Sequence, residues 1–140
     1  MSGRPVHLRR RFLALVAVGG TAGTALREAV GLLLGAPGWP LAIFAINLSG
    51  SLALGVLLEW LSRQGSDEGS RRAIRLALGT GLLGGYTTYG ALAVDSVTLL
   101  AGGQVVTGLL YPIASVVGGV AAAGAGVALV RRWNSSVGVR

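Results

Sequence analysis

The stretch GLLGGYTTYGALAVDS occupies residues 81–96. It starts as an apolar run fit for a bilayer. It then places Gly84, Gly85, Thr87 and Thr88 at its centre, framed by Tyr86 and Tyr89. Glycine weakens a helix by about 1 kcal/mol relative to alanine, and threonine hydroxyls compete for backbone groups. In a membrane every backbone N–H and C=O needs a partner inside the protein, because lipid offers none. Two readings follow. The Gly-Gly and Thr-Thr pairs can break the helix and free carbonyls and amides that protein, water or an ion must satisfy. They can also merely kink it, with the hydroxyls bonded internally. Freed carbonyl oxygens are hard ligands suited to a cation such as sodium, a use found in the discontinuous helices of transporters.

The surrounding chain has 140 residues, of which 52% are apolar and 12% charged. Its mean hydropathy is +0.68. Soluble domains carry about 25% charged residues, so this is the composition of a small integral membrane protein. Four segments, roughly 12–34, 41–61, 73–101 and 105–130, are apolar and long enough to cross a bilayer as helices. The expected fold is therefore all-α: a single four-helix membrane domain spanning 1–140, with the third helix broken near Gly84–Thr88. The connectors GAPGWP (35–40) and AGGQ (101–104) read as tight turns, and SRQGSDEGSRR (62–72) is the only polar loop. The first apolar run is too long for a signal-peptide core. There are no cysteines, so neither disulfides nor thiol chemistry are available. No Ser/His/Asp set, metal cluster or phosphate loop is present, which argues against an enzyme.

All twelve basic residues are arginine, and the formal charge is +7. Arg4, Arg9, Arg10 and Arg11 precede the first segment. Arg63, Arg71, Arg72 and Arg75 surround the central loop, and Arg131, Arg132 and Arg140 follow the fourth. With four crossings, all of these fall on one side, and the short connectors hold none. The pattern reads as membrane topology with both termini cytoplasmic, not as a nucleic-acid surface. So strong a bias predicts one fixed orientation in the cell membrane. The twelfth, Arg27, lies within the first segment.

The chain holds 24 glycines. Gly19 with Gly23, Gly81 with Gly85, Ser51 with Gly55 and Ser115 with Gly119 are pairs of small residues four apart, which let helices approach backbone to backbone. Four helices bury little surface alone, so the set favours an oligomer.

A charged residue at membrane depth costs on the order of 2.5–3.5 kcal/mol, so polar groups there face protein or water. Arg27 can form a positive vestibule that draws in anions, or it can snorkel or pair with Glu28. Asn47 offers two amide donors, to an anion or to a neighbouring helix. Tyr111 and Ser115 stand one turn apart and make a polar stripe, unless the serine bonds back to its own helix. Asp95 marks a second polar site or approaches the interface. Glu59, near a helix end, reads as interfacial, and His7 as solvated.

At these residues the chain resembles the Fluc (CrcB) family of fluoride channels. Gly20, Gly23 and Arg27 match a Gly-Gly-x-x-Gly-x-x-x-Arg pattern in the first helix. Asn47, Gly50 and Ser51 match Asn-x-x-Gly-Ser in the second. Gly84, Gly85, Thr87, Thr88 and Tyr89, with Asp95 beyond, follow the third-helix pattern Gly-Gly-x-Thr-Thr-Phe-Ser-Thr-Phe-Ser and its acidic residue. The resemblance covers nearly the whole chain. It implies an antiparallel dimer with two pores, passing fluoride out of the cell down its gradient. It implies a central sodium ion held by backbone carbonyls, at positions that fall on Gly84 and Thr87. The implied fluoride path includes Asn47, Thr88, Tyr89, Tyr111 and Ser115, with Arg27 at the vestibule. In the family, two phenylalanines offer their ring edges, the positive part of the ring quadrupole, to the anion.

The chain departs from that pattern in several places. Tyr89 keeps the first ring, but Leu92 stands at the second. Gly90 and Ala91 replace two hydroxyl residues, and Glu28 follows Arg27 where an aromatic is usual. A path relying on the second ring and those hydroxyls is expected to be impaired. Together with the arginine bias, this points to one half of a heterodimer, paired with a homologous subunit of opposite bias. Two rivals stand beside it. A small multidrug-type exporter would need a carboxylate in the first helix, for which Glu28 is the candidate. A non-conducting structural subunit would need no path at all.

Overall fold

A computed structural model describes residues 9–34 and 40–137. Arg4, His7, the first connector as far as residue 39, and Arg140 lie outside the described residues. The elements are α1 (Arg10–Leu34), α2 (Leu41–Arg63), α3 (Gly69–Ile74), a π-helical stretch Arg75–Leu83, α4 (Gly84–Tyr86), α5 (Tyr89–Ala101) and α6 (Val105–Val137). No strand occurs among the described residues. α1, α2 and the Val105–Trp133 part of α6 are each long and apolar enough to span a membrane. The third segment runs without interruption from Gly69 to Tyr86, gives way at Thr87–Thr88 and resumes at Tyr89. No unbroken α-helix within it is of spanning length.

The small-residue pairs decide which helices touch. A Cβ on Gly19 or Gly23 would fall on the carbonyl oxygens of Ala77 and Leu82. One on Gly85 would fall on the Gly20 carbonyl. The first two pairs therefore interlock α1 with the third segment, backbone against backbone. Likewise Gly55 meets the Ala123 carbonyl, Gly126 meets the Leu52 carbonyl, and Gly119 faces the Ser51 hydroxyl. This locks α2 to α6. In both couples, residue numbers rise together along the contact, so the two helices run parallel. Between the couples the sense reverses: Gly79 lies against Leu54 and Leu57, while Thr87 lies against Gly50. Two parallel couples set antiparallel to each other give the up-down-up-down path of four crossings.

This path brings the start of α1, the 62–72 loop and the end of α6 to one end of the bundle. Glu59 ties that end together. Its Oε1 lies 2.8 Å from Arg63 Nη2, one turn along α2, and 3.1 Å from Arg131 Nε on α6. In the loop, Gly65 and Gly69 adopt positive φ (118° and 53°), the conformation that glycine takes at no steric cost. The turn they make lets the Asp67 carboxylate take both Arg75 Nε (3.0 Å) and Nη2 (2.7 Å). Hydrogen bonding from Arg75 holds the Asp67 carboxyl below its ordinary range. At the other end, the carbonyls of Thr98, Leu99 and Leu100 accept from Gly102, Gln104 and Gly103, closing the turn between α5 and α6.

The core is small. Leu92, Leu99 and Tyr111 are buried together, with Ile43 and Phe44 packed against them. Outside it, apolar side chains such as Val18, Leu32, Val117 and Val120 are more than half exposed. In water this would be a liability, but lipid is the solvent that suits such a surface.

Candidate functional site

The site is built at the break in the third segment. Gly84, Gly85 and Tyr86 stay helical. The threonines carry the break: Thr87 has ψ 156° and Thr88 has φ −150° and ψ 128°, both extended. The glycines serve the close approach to α1, and the chain leaves the helix one residue later. Leu83 O accepts both the Thr87 N–H and the Thr87 hydroxyl, each at 2.9 Å, which caps the end.

Asn47 closes the gap from α2. Its Nδ2 donates to Thr88 O at 3.0 Å, and its Oδ1 accepts from Thr88 N–H at 2.8 Å. One side chain thus pairs with both polar groups of one residue, as a neighbouring strand would. A second Nδ2 hydrogen is left over. The Thr88 hydroxyl then accepts from Ala91 N–H at 3.2 Å and caps α5. Four carbonyls, those of Gly84 to Thr87, lose their helical donors across the break. The N–H that would return to Gly84 O is on Thr88, and the one for Thr87 O is on Ala91. Both are bonded elsewhere.

These groups line one open groove of about 430 Å³, walled by α2, the break and α6. Asn47, Gly84, Thr87, Thr88, Tyr89 and Ser115 all reach it. Ser115 is 3% exposed, and its hydroxyl has no hydrogen-bond partner. Several other helical hydroxyls bond back to their own helix, among them Thr21 to Ala17 O, Ser96 to Leu92 O and Thr98 to Val94 O. Ser115 does not. A buried unmade hydroxyl bond costs about 1–3 kcal/mol, so an unpaired donor stands out. The N-terminus of α5 opens beside it. By position the N–H groups of Tyr89 and Gly90 lack intrahelical acceptors, and this end of the helix carries partial positive charge. Gly90 adds no side chain to cover them. Tyr89 is 80% exposed, its ring standing clear of the subunit.

Two of the sequence-predicted residues lie elsewhere. Arg27 sits on the α1 side of the break. Its Nη1 donates to Gly85 O at 3.2 Å, its Nε lies 3.5 Å from Glu28 Oε1, and the Thr24 hydroxyl reaches the same carbonyl at 3.5 Å. Tyr111 is buried behind the groove, with its hydroxyl 3.4 Å from both Asp95 Oδ2 and Pro40 O. Leu92, at the position of the second ring, is 4% exposed and packs on Tyr111. Gly50, Ser51 and Gly119 also line the groove. Their small size is what leaves the groove open.

The chain can be compared with known proteins on this basis. The family model described as "CrcB-like protein, Camphor Resistance (CrcB)" matches residues 14–127. The chain is 47% identical over 133 residues to "Fluoride-specific ion channel FluC 2" of Leifsonia xyli subsp. xyli, covering 91% of this chain and 89% of that protein. It is 42% identical over 135 residues to "Fluoride-specific ion channel FluC 1" of Cutibacterium acnes, covering 94% of each. Hyphomonas neptunium has a "Fluoride-specific ion channel FluC" that is 40% identical over 121 residues, 84% of this chain and 94% of that one. The matched region takes in all four helical columns and the whole groove, so the chain belongs to the CrcB-like family.

Proposed function

We propose that the chain is a subunit of a fluoride-selective channel that lets fluoride leave the cell passively and so lowers its cytoplasmic concentration. The relatives are fluoride-specific ion channels, which supports this reading, and one observation carries it to this chain. A single groove gathers unpaired hydrogen-bond donors at membrane depth: the Ser115 hydroxyl, the spare Asn47 hydrogen and the start of α5. A small anion entering lipid must replace its water, and such donors replace it without a mobile charge to trap the ion. The Thr88 hydroxyl has its own proton to give, and the Tyr89 ring adds an edge. Nothing in this scheme makes or breaks a covalent bond, so the protein works as a channel, not as an enzyme.

The groove is open on one side, and α6 beside it is apolar. We assign that side to a second subunit, antiparallel to the first. The arginines gather at one end of the bundle, which favours a single orientation with both termini cytoplasmic. A homologous partner of opposite bias would then complete the dimer. Sodium fits the break on the chemistry of its donors. Gly84 O and Thr87 O are neutral hard oxygens with their helical donors removed, and two are half of a set that a partner would complete. A bound sodium there would supply positive charge at the centre of the dimer.

The test is passive anion efflux from liposomes holding the purified chain, first alone and then with a homologous subunit. Fast fluoride release with little chloride release, in either case, is the expected result. Silence in both would sink the reading. Reporter fusions that place the C-terminus on both sides in comparable amounts would overturn the fixed orientation.

A further inference from the structure

We infer that Asn47 and the Thr88 hydroxyl are positioning residues for the cation at the break. On this reading, one side chain of the anion groove also makes the cation site. The inference rests on the sodium reading above and assigns residues that do not themselves touch the ion.

Four backbone groups at the break carry it. In an unbroken helix Thr88 N–H would bond to Gly84 O, and Ala91 N–H to Thr87 O. Here Asn47 Oδ1 takes the first N–H at 2.8 Å, and Thr88 Oγ1 takes the second at 3.2 Å. Each diversion frees one carbonyl. In lipid an amide without an acceptor is costly, and these two side-chain oxygens hold the amides away from the carbonyls. Without either oxygen the extended Thr87–Thr88 backbone loses a bond that holds it, and the two carbonyls lose the fixed positions a cation needs. Asn47 does two separable things. Its oxygen frees Gly84 O, while its nitrogen holds Thr88 O at 3.0 Å and offers the spare hydrogen to the groove. The cation site and the anion groove therefore share Asn47 through different atoms.

That separation gives a test. Asn47→Asp keeps an acceptor for Thr88 N–H and loses the donor. Asn47→Ala loses both. Thr88→Val loses the cap that frees Thr87 O, and Thr88→Ser restores it. The readout is the melting temperature of the purified conducting assembly, titrated with sodium chloride against N-methylglucamine chloride at constant ionic strength. A ligand that binds only the folded state raises it with concentration. Residues standing behind metal ligands typically change affinity about 10–100-fold when removed. Asn47→Ala and Thr88→Val are each expected to need at least about tenfold more sodium for half of the rise, by the same rule. Thr88→Ser should keep the wild-type midpoint, and Asn47→Asp, which keeps the acceptor and adds a negative charge near the cation, should keep it or lower it. If the wild type responds to sodium and both Asn47→Ala and Thr88→Val keep its midpoint, the inference is wrong and the sodium reading stands. If the wild type shows no sodium-specific rise, both fall together. Should one variant fail to fold, the other still decides, because the two carbonyls are freed independently.

Discussion

Asn47 and Thr88 are joined by two hydrogen bonds of opposite sense, the side-chain amide giving to the Thr88 carbonyl at 3.0 Å and taking from its N–H at 2.8 Å. Forty-one residues separate them. The break in the third segment is thus held open by a residue on another helix. Asn47→Asp should leave the assembly intact and silence it. The donor to Thr88 O is lost, and a carboxylate is placed in a groove meant for anions. Losing a buried hydrogen bond of this kind costs about 1–3 kcal/mol, so fluoride efflux should fall by about tenfold to a hundredfold or more. Liposome flux, with gel filtration as the control for assembly, checks this.

Ser115→Ala should separate stability from conduction. The hydroxyl it removes is buried and has no partner, so its loss relieves a desolvation penalty of about 1 kcal/mol or more. The melting temperature should hold or rise. Fluoride efflux should nonetheless drop several-fold, on the order of the single donor's net worth of about 1 kcal/mol. A fall in both would mean that Ser115 is structural.

Leu92→Phe should not behave as a simple restoration of a missing ring. Leu92 is 4% exposed and packs on Tyr111, with Phe44 against the same cluster. Adding ring volume to a filled site costs about 1–3 kcal/mol through forced rotamers. A lowered melting temperature is the expected outcome. An unchanged one would show space at position 92 that this packing does not provide.

Gly23→Ala and Gly31→Ala form a matched pair on α1. A Cβ on Gly23 falls on the Leu82 carbonyl, whereas nothing lies within 4 Å of one on Gly31. The first should strip α1 from the third segment and lower the yield of folded protein. The second should be neutral or stabilising by up to about 1 kcal/mol from helix propensity. Thermal melts of the two variants test the backbone-to-backbone contact directly.

Asp67→Asn should have a small effect with a defined pH window. Hydrogen bonding from Arg75 lowers the Asp67 pKa in the folded chain. The group therefore binds fewer protons folded than unfolded. Its contribution is complete above the unfolded value of about 3.9 and fades as pH falls through the lower folded one. The pair is solvent-exposed, so the loss at pH 7 should stay within about 1 kcal/mol. Melts of variant and wild type should differ slightly at neutral pH and converge in acid.

Much of this architecture is local and could be read from the chain. Hydropathy marks the four crossings, because an apolar run of bilayer length has no other stable place. Arginine placement marks the shared end, because charge stays out of the hydrocarbon. The Gly-Gly-x-Thr-Thr run marks the break to within a few residues, because it weakens helix wherever it stands. Tertiary structure decided the rest. Gly84 and Gly85 remain helical and the threonines extend because Asn47, far along the sequence, captures the Thr88 peptide. Arg27 turns to the Gly85 carbonyl on the α1 side of the break, since that is where a freed acceptor lies within its reach. Ser115 keeps a free hydroxyl while Thr21, Ser96 and Thr98 bond back to their own helices, a difference that sequence spacing does not show. Sequence spacing puts residues on a face. Which face meets which, and which backbone groups are left over, depends on where four helices can approach closely enough to exclude lipid.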